Sequence, residues 1–209
     1  MKISWTRAMF KKLKFKFDHE VVKKCNYLIN TIDRCKPILN FDSLFETSDR
    51  ITPENKVCME YYKDRRCNYI LKDFPYKAII KYLPQKLLEV EVPRVHWLMF
   101  DKGEICTGFQ APPHKDDPDF RKSNLNFYLK VNDEETIFYN AKRPGVWGYS
   151  GEMFMPEWLE KHDSFVAKSE DVYLLDVMQI HSIEDIYKPR ILVSFNFMTP
   201  YEQLVDLID

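Results

Sequence analysis

The chain has 209 residues, a formal net charge of −1, and 45% hydrophobic and 15% aromatic residues. That length suits one folded domain with no need of disulfide staples, and 15 Phe, 12 Tyr and 4 Trp exclude wholesale disorder. With 5 Gly against 12 Pro and no fixed period, collagen-like and Gly-rich repeat designs are excluded. No apolar run approaches the roughly 20 residues of a membrane span.

In chain order, residues 1–40 hold ten Lys/Arg against three Asp/Glu, a net +7 that leaves −8 for the remainder. This start lacks the continuous apolar stretch of a secretory signal. A basic run either docks an anionic partner or forms a solvated edge. Leu13, Phe15 and Phe17 alternate with lysines as a half-buried strand would, which favours the edge. Val21, Val22, Cys25, Leu28, Ile29 and Ile32 then recur at helical spacing and predict a first helix. Residues 33–52 read as a long connection. Thr52-Pro53 supplies a capping hydroxyl and an N-terminal proline for a second helix. A third runs from Pro75 through Lys77, Ala78, Ile79, Ile80 and Leu83.

From Val90 short β-rich runs follow: Val95–Phe100, Ile105–Gln110, Asn124–Val131, Thr136–Tyr139, Ser164–Lys168, Val172–Leu175, Val177–Ile183 and Arg190–Met198. Their spacing implies a sandwich or barrel rather than alternating βαβ units. Segment 140–162, with Pro144, Gly145, Gly148, Gly151, Pro156 and two Trp, is too long for a hairpin turn and predicts a lid or a packed surface excursion. Trp147, Tyr149 and Trp158 either shape that lid or pack it. The expected architecture is mainly β with N-terminal helices (α+β): one domain over 1–209, with helices in 1–89 buttressing a jelly-roll in 90–199.

Of five histidines, His114 alone sits in an H-x-D arrangement, with Asp116. In an extended strand these two project to the same side while Lys115 turns away, and Pro112-Pro113 favours that backbone. Two ligands do not hold a metal. A strand order that brought His181 beside them would complete the two-His, one-carboxylate facial triad of non-haem Fe(II) oxygenases. Arg190, Leu192 and Ser194 share one face of the last strand, with Ile191, Val193, Phe195 and Phe197 on the other. A guanidinium and a hydroxyl on an inward face make a carboxylate clamp. Asn126 and Tyr128 repeat the design, opposite Leu125, Phe127, Leu129 and Val131. A surface pairing of Arg190 with Glu184 or Asp185 fits poorly with the apolar residues interleaved around it. His96 and His162 read as structural or exposed, with His96 a lesser candidate to line the cavity.

H-K-D at 114–116, H-S-I-E-D-I-Y-K-P-R at 181–190 and R-I-L-V-S at 190–194 together resemble Fe(II)/2-oxoglutarate-dependent oxygenases of the prolyl-4-hydroxylase-like branch, over about residues 95–198. The resemblance implies a double-stranded β-helix, cupin-like core. It implies iron ligation by His114, Asp116 and His181, and Arg190 on the far carboxylate of 2-oxoglutarate with Ser194 in support. Tyr128 matches, more loosely, a tyrosine that relatives place on the same carboxylate, and Asn126 shares its face. It further implies hydroxylation of a C–H bond at the expense of O2 and 2-oxoglutarate, with release of succinate and CO2. Prolyl residues, other protein side chains, nucleobases and small metabolites all stay open as substrates, since specificity lies in loops such as 140–162. Short bacteriophage enzymes share this shape, which points toward a viral source.

A contrasting reading is a catalytically silent β-helix module, such as a component of a viral assembly. Intact positions 114, 116, 181, 190 and 194 count against it. Cys25, Cys35, Cys58, Cys67 and Cys106 form an odd set without C-x-x-C pairs, as free thiols in a reducing, cytoplasmic compartment would. No G-x-S-x-G elbow, phosphate-binding glycine loop, zinc spacing or RNA-recognition signature is present.

Overall fold

The computed structural model describes residues 8–29, 68–70, 79–101, 111–148, 151–184 and 190–208, with backbone alone for 28–29, 68–70, 94–101, 111–112 and 148. Among them the strands are β1 (Phe10–Lys12), β2 (Asn68–Ile70), β3 (Arg94–Asp101), β4 (Ala111–Asp116), β5 (Ser123–Lys130), β6 (Glu135–Ala141), β7 (Val146–Gly148), β8 (Gly151–Met153), β9 (Leu159–Val166), β10 (Val172–Leu175), β11 (Ile180–Glu184) and β12 (Arg190–Phe197). The helices are α1 (His19–Ile29), α2 (Gln85–Val90) and α3 (Tyr201–Val205). None among the described residues is long and apolar enough to cross a membrane.

The strands form two six-stranded antiparallel sheets, one ordered β1-β10-β5-β12-β3-β2 and the other β7-β8-β4-β11-β6-β9. The molecule is therefore mainly β, with a sandwich arrangement. Alternation along β5 and β12 decides which side chain enters which layer. Leu125, Phe127, Leu129, Ile191, Val193, Phe195 and Phe197 face outward from the first sheet. They pack with Val21, Val22 and Cys25 of α1, Leu87 of α2 and Leu204 of α3. Each fully buried Phe or Leu there contributes about 1.5–3 kcal/mol. The opposite face contributes Tyr128, Leu192, Tyr173 and Leu175 to a core shared with Phe138 and Phe165 of the second sheet. Glu91, just past α2, accepts hydrogen bonds from the Met198 and Thr199 amides at 3.0 and 2.9 Å, which ties that helix to the end of β12.

Several expectations need adjusting. The strand expected from Leu13 to Phe17 lies earlier, at Phe10–Lys12 on the edge of the first sheet. Leu13 and Phe17 are still buried, beneath α1 and against β5 and β12. Lys11 and Lys12 are tied into the fold: Lys11 Nζ donates to the Val205 carbonyl, and Lys12 Nζ lies 2.7 Å from Asp171. The run 177–183 is not one strand. Asp176 closes a turn by accepting the Met178 amide on its side chain and the Gln179 amide on its carbonyl, so β11 begins at Ile180. Segment 140–162 is largely sheet: β7 and β8 form a hairpin that joins β4, and β9 pairs along β6. Its Phe154 and Leu159 cover Ile137, Tyr139 and Ile180, with Trp158 packed against them. The helix expected at Thr52-Pro53, the strand expected at 105–110 and Tyr149 lie outside the described residues. Of the helix expected from Pro75, Ile79 and Ile80 are helical, and Ile79 and Leu83 are buried in the helix-facing core.

Candidate metal centre

Pro112-Pro113 hold β4 extended, so His114 and Asp116 share a face. Lys115 turns the other way, with its ammonium 3.5 Å from Glu152 of β8. β11 lies antiparallel to β4 with His181 opposite His114. The two imidazoles stand 4.5 Å apart, and His114 Nε2 is 3.4 Å from Asp116 Oδ1. The ligand atoms of His114, Asp116 and His181 all lie within 4.8 Å of one another. One ion spans such a set with small side-chain adjustment, because metal–nitrogen and metal–oxygen bonds run about 2.0–2.2 Å. On the far side of β4, β8 sets Met153 opposite His114 and Gly151 opposite Asp116. Gly151 has φ +135°, and a Cβ there would collide with the Lys115 carbonyl, so only glycine lets β8 approach the ligand strand.

The charges suit a cation. His181 Nδ1 donates to the Gln179 carbonyl at 2.9 Å, which leaves the Nε2 lone pair for another partner. Burial, and next the neighbouring His114, push the His181 pKa down to about 4, so its ring is neutral near pH 7. Burial alone would raise the pKa of Asp116. The Arg121 guanidinium and then the His114 contact outweigh it and hold the carboxyl well below the usual carboxylate range. Arg121 grips both oxygens, Nε on Oδ2 and Nη2 on Oδ1, each at 2.6 Å. An ionised carboxylate beside a neutral imidazole is the protonation state that metal binding requires.

Between the sheets, Phe138 connects this site to a second polar group. Its ring lies 6.1 Å from that of His181, and it packs in the same core as Tyr128. Arg190 is 2% exposed, with its guanidinium carbon 5.1 Å from the centre of the Tyr128 ring. Its Nε stands 3.5 Å from Glu134 Oε1, an ion-pair distance with no hydrogen bond formed. Arg190 Nε and Nη1, Tyr128 Oη, Glu134 Oε1, Asn124 Oδ1 and Asn126 Oδ1 are buried with no hydrogen-bond partner among the described residues. Ser194 Oγ donates to Asn196 Oδ1 at 3.3 Å. Native proteins leave few such groups unpaired, so a cluster of them calls for water or a polar ligand.

Other histidines and aromatics stand apart. His162 is exposed, 3.2 Å from the Asn140 amide. His96 falls on β3 at the irregularity opposite Ser194 and Phe195. Trp147 is largely exposed, whereas Trp158 lies under the Arg143 guanidinium at 4.0 Å. Arg121, Glu134 and Gly151 were not singled out as site residues from the sequence. The signal for Arg121 was there, since Asp117-Pro118-Asp119 is a turn signature that folds the next cation back toward Asp116.

No protein-family model and no curated protein sequence matches the chain. Among solved structures it is similar to a prolyl hydroxylase from Trichoplax adhaerens, described in complex with a hypoxia inducible factor oxygen degradation domain peptide fragment. The match has 14% identity and a TM-score of 0.36, and covers 88% of this chain and 94% of that one.

Proposed function

We propose that this chain is an Fe(II)- and 2-oxoglutarate-dependent oxygenase that hydroxylates a C–H bond. The observation that carries the proposal is the convergence of His114, Asp116 and His181 from two neighbouring strands, with Asp116 held ionised and His181 held neutral near pH 7. The two strand orders β10-β5-β12-β3 and β4-β11-β6-β9 support reading the sandwich as a double-stranded β-helix, in which strands alternate between the sheets along the chain.

In this reading His114, Asp116 and His181 hold the metal and Arg190 binds the distal carboxylate of 2-oxoglutarate. The Tyr128 hydroxyl and Arg190 Nη1 donate to that carboxylate, which satisfies atoms otherwise left unpaired. Ser194 and Asn126, opposite each other on β12 and β5, extend the polar wall. Phe138, Phe165 and Leu192 keep the interior between the sheets dry. When bound, ferrous iron with 2-oxoglutarate and O2 supplies the oxidising power, and the protein supplies orientation and exclusion of water. A catalytically silent module has no use for a buried arginine with unpaired donors.

Thermal unfolding with Mn(II) plus 2-oxoglutarate tests this, because a ligand that binds only the folded state raises its stability. The wild type gains several degrees, and His181→Ala and Arg190→Ala each lose most of that gain. A wild-type protein with no ligand-dependent shift overturns the proposal.

A further inference from the structure

We infer that Arg121 is a positioning residue that sets the charge of the metal centre, so that a divalent cation binds tightly only together with an anionic co-ligand. The inference rests on the oxygenase reading above and concerns a residue outside the triad and the carboxylate clamp.

Arg121 is firmly held. Its amide and that of Phe120 donate to the Asp117 carbonyl at 3.2 and 3.0 Å, and the next amide, of Lys122, donates to the Phe197 carbonyl at 2.8 Å. The turn is braced by Asp117 Oδ1, which accepts the Asp119 amide at 2.9 Å. The chain is thus pinned to β4 on one side and to the end of β12 on the other, and the guanidinium closes a two-point grip on Asp116. Asp116 itself is 1% exposed, so neither oxygen exchanges its partner for bulk water.

Two consequences follow from this grip. The fork fixes the plane of the carboxylate. It also sets one guanidinium against the one carboxylate of the triad, so that the pair brings no net negative charge to a cation. Any cation ligated by Asp116 sits within about 5 Å of the guanidinium, given metal–oxygen bonds near 2.0–2.2 Å. A lone dication is therefore repelled at short range in a site of low dielectric. An arriving dianion removes the excess charge. Metal and 2-oxoglutarate then load cooperatively, and each strengthens the other by the same factor.

Arg121→Gln keeps one amide donor for Asp116 but removes the charge. Arg121→Lys keeps the charge but loses the fork. Mn(II) affinity is measured for both and for wild type by calorimetry, with and without 2-oxoglutarate. Arg121→Gln is expected to bind Mn(II) alone at least tenfold tighter than wild type and to gain less from 2-oxoglutarate. Arg121→Lys is expected to bind Mn(II) no tighter than wild type. Wild-type binding with no gain in Arg121→Gln overturns this inference and leaves the oxygenase reading standing. Absence of Mn(II) binding in wild type and Arg121→Gln alike defeats both. Should Arg121→Gln not fold, Arg121→Lys decides: affinity more than tenfold above wild type contradicts the charge account, and affinity at or below wild type supports it.

Discussion

The two faces of β5 and β12 are built from alternate residues of the same strands and obey opposite rules. Outward, Leu125, Phe127, Ile191, Val193, Phe195 and Phe197 are fully buried hydrocarbon against three helices. Inward, Asn124, Asn126, Tyr128, Arg190, Ser194 and Asn196 are nearly as buried, yet four of the six carry polar atoms with no partner among the described residues. The first face stabilises the fold. The second opposes it, since an unpaired buried polar group costs about 1–3 kcal/mol. The contrast marks, within a single strand, where apolar packing gives way to the polar groups of the proposed 2-oxoglutarate site.

The comparison can be strained from both sides. Phe195→Ala on the outer face should cost about 3–5 kcal/mol, read as a lower denaturation midpoint. A loss under 1 kcal/mol would mean the helical layer does not rely on that face. The inner space should instead be sensitive to acid. His181 titrates near 4 in the folded chain against an ordinary 6.5, so between those values the unfolded state binds the extra proton. Its contribution, of order 3 kcal/mol, is complete above pH 6.5 and lost as pH falls toward 4. Chelator-treated protein should accordingly lose stability across that window, and His181→Gln should flatten the slope. The smallest stability effect belongs to Tyr128→Phe, which removes only an unpaired hydroxyl. Stability should hold within about 1 kcal/mol or rise, while 2-oxoglutarate affinity falls tenfold or more because a charge-assisted hydrogen bond is lost. An unchanged affinity would remove Tyr128 from the carboxylate site.

Much of this was legible because it is local. The alternation of R-I-L-V-S-F-N-F assigns both faces of β12 without reference to any other strand. The H-x-D spacing likewise places His114 and Asp116 together on β4. The meeting of His181 with them depends on cross-strand register, a long-range property that no short window contains, and only a resemblance of motifs suggested what periodicity could not. The strands β7 and β8 within segment 140–162 were hard to read because each is three residues long, and Trp147, Gly148 and Gly151 locally resemble a loop. Glu134 escaped for another reason. A buried ion pair is recognisable only once the burial of its partner is known, and Glu134 reaches Arg190 across 56 positions of sequence.

The most direct trial of the account is an anaerobic titration with Fe(II) and 2-oxoglutarate, followed by admission of air. A weak visible charge-transfer band that saturates at one equivalent of each, then succinate on aeration, is the predicted result. Neither band nor succinate, from protein that is folded and binds no metal, would contradict it.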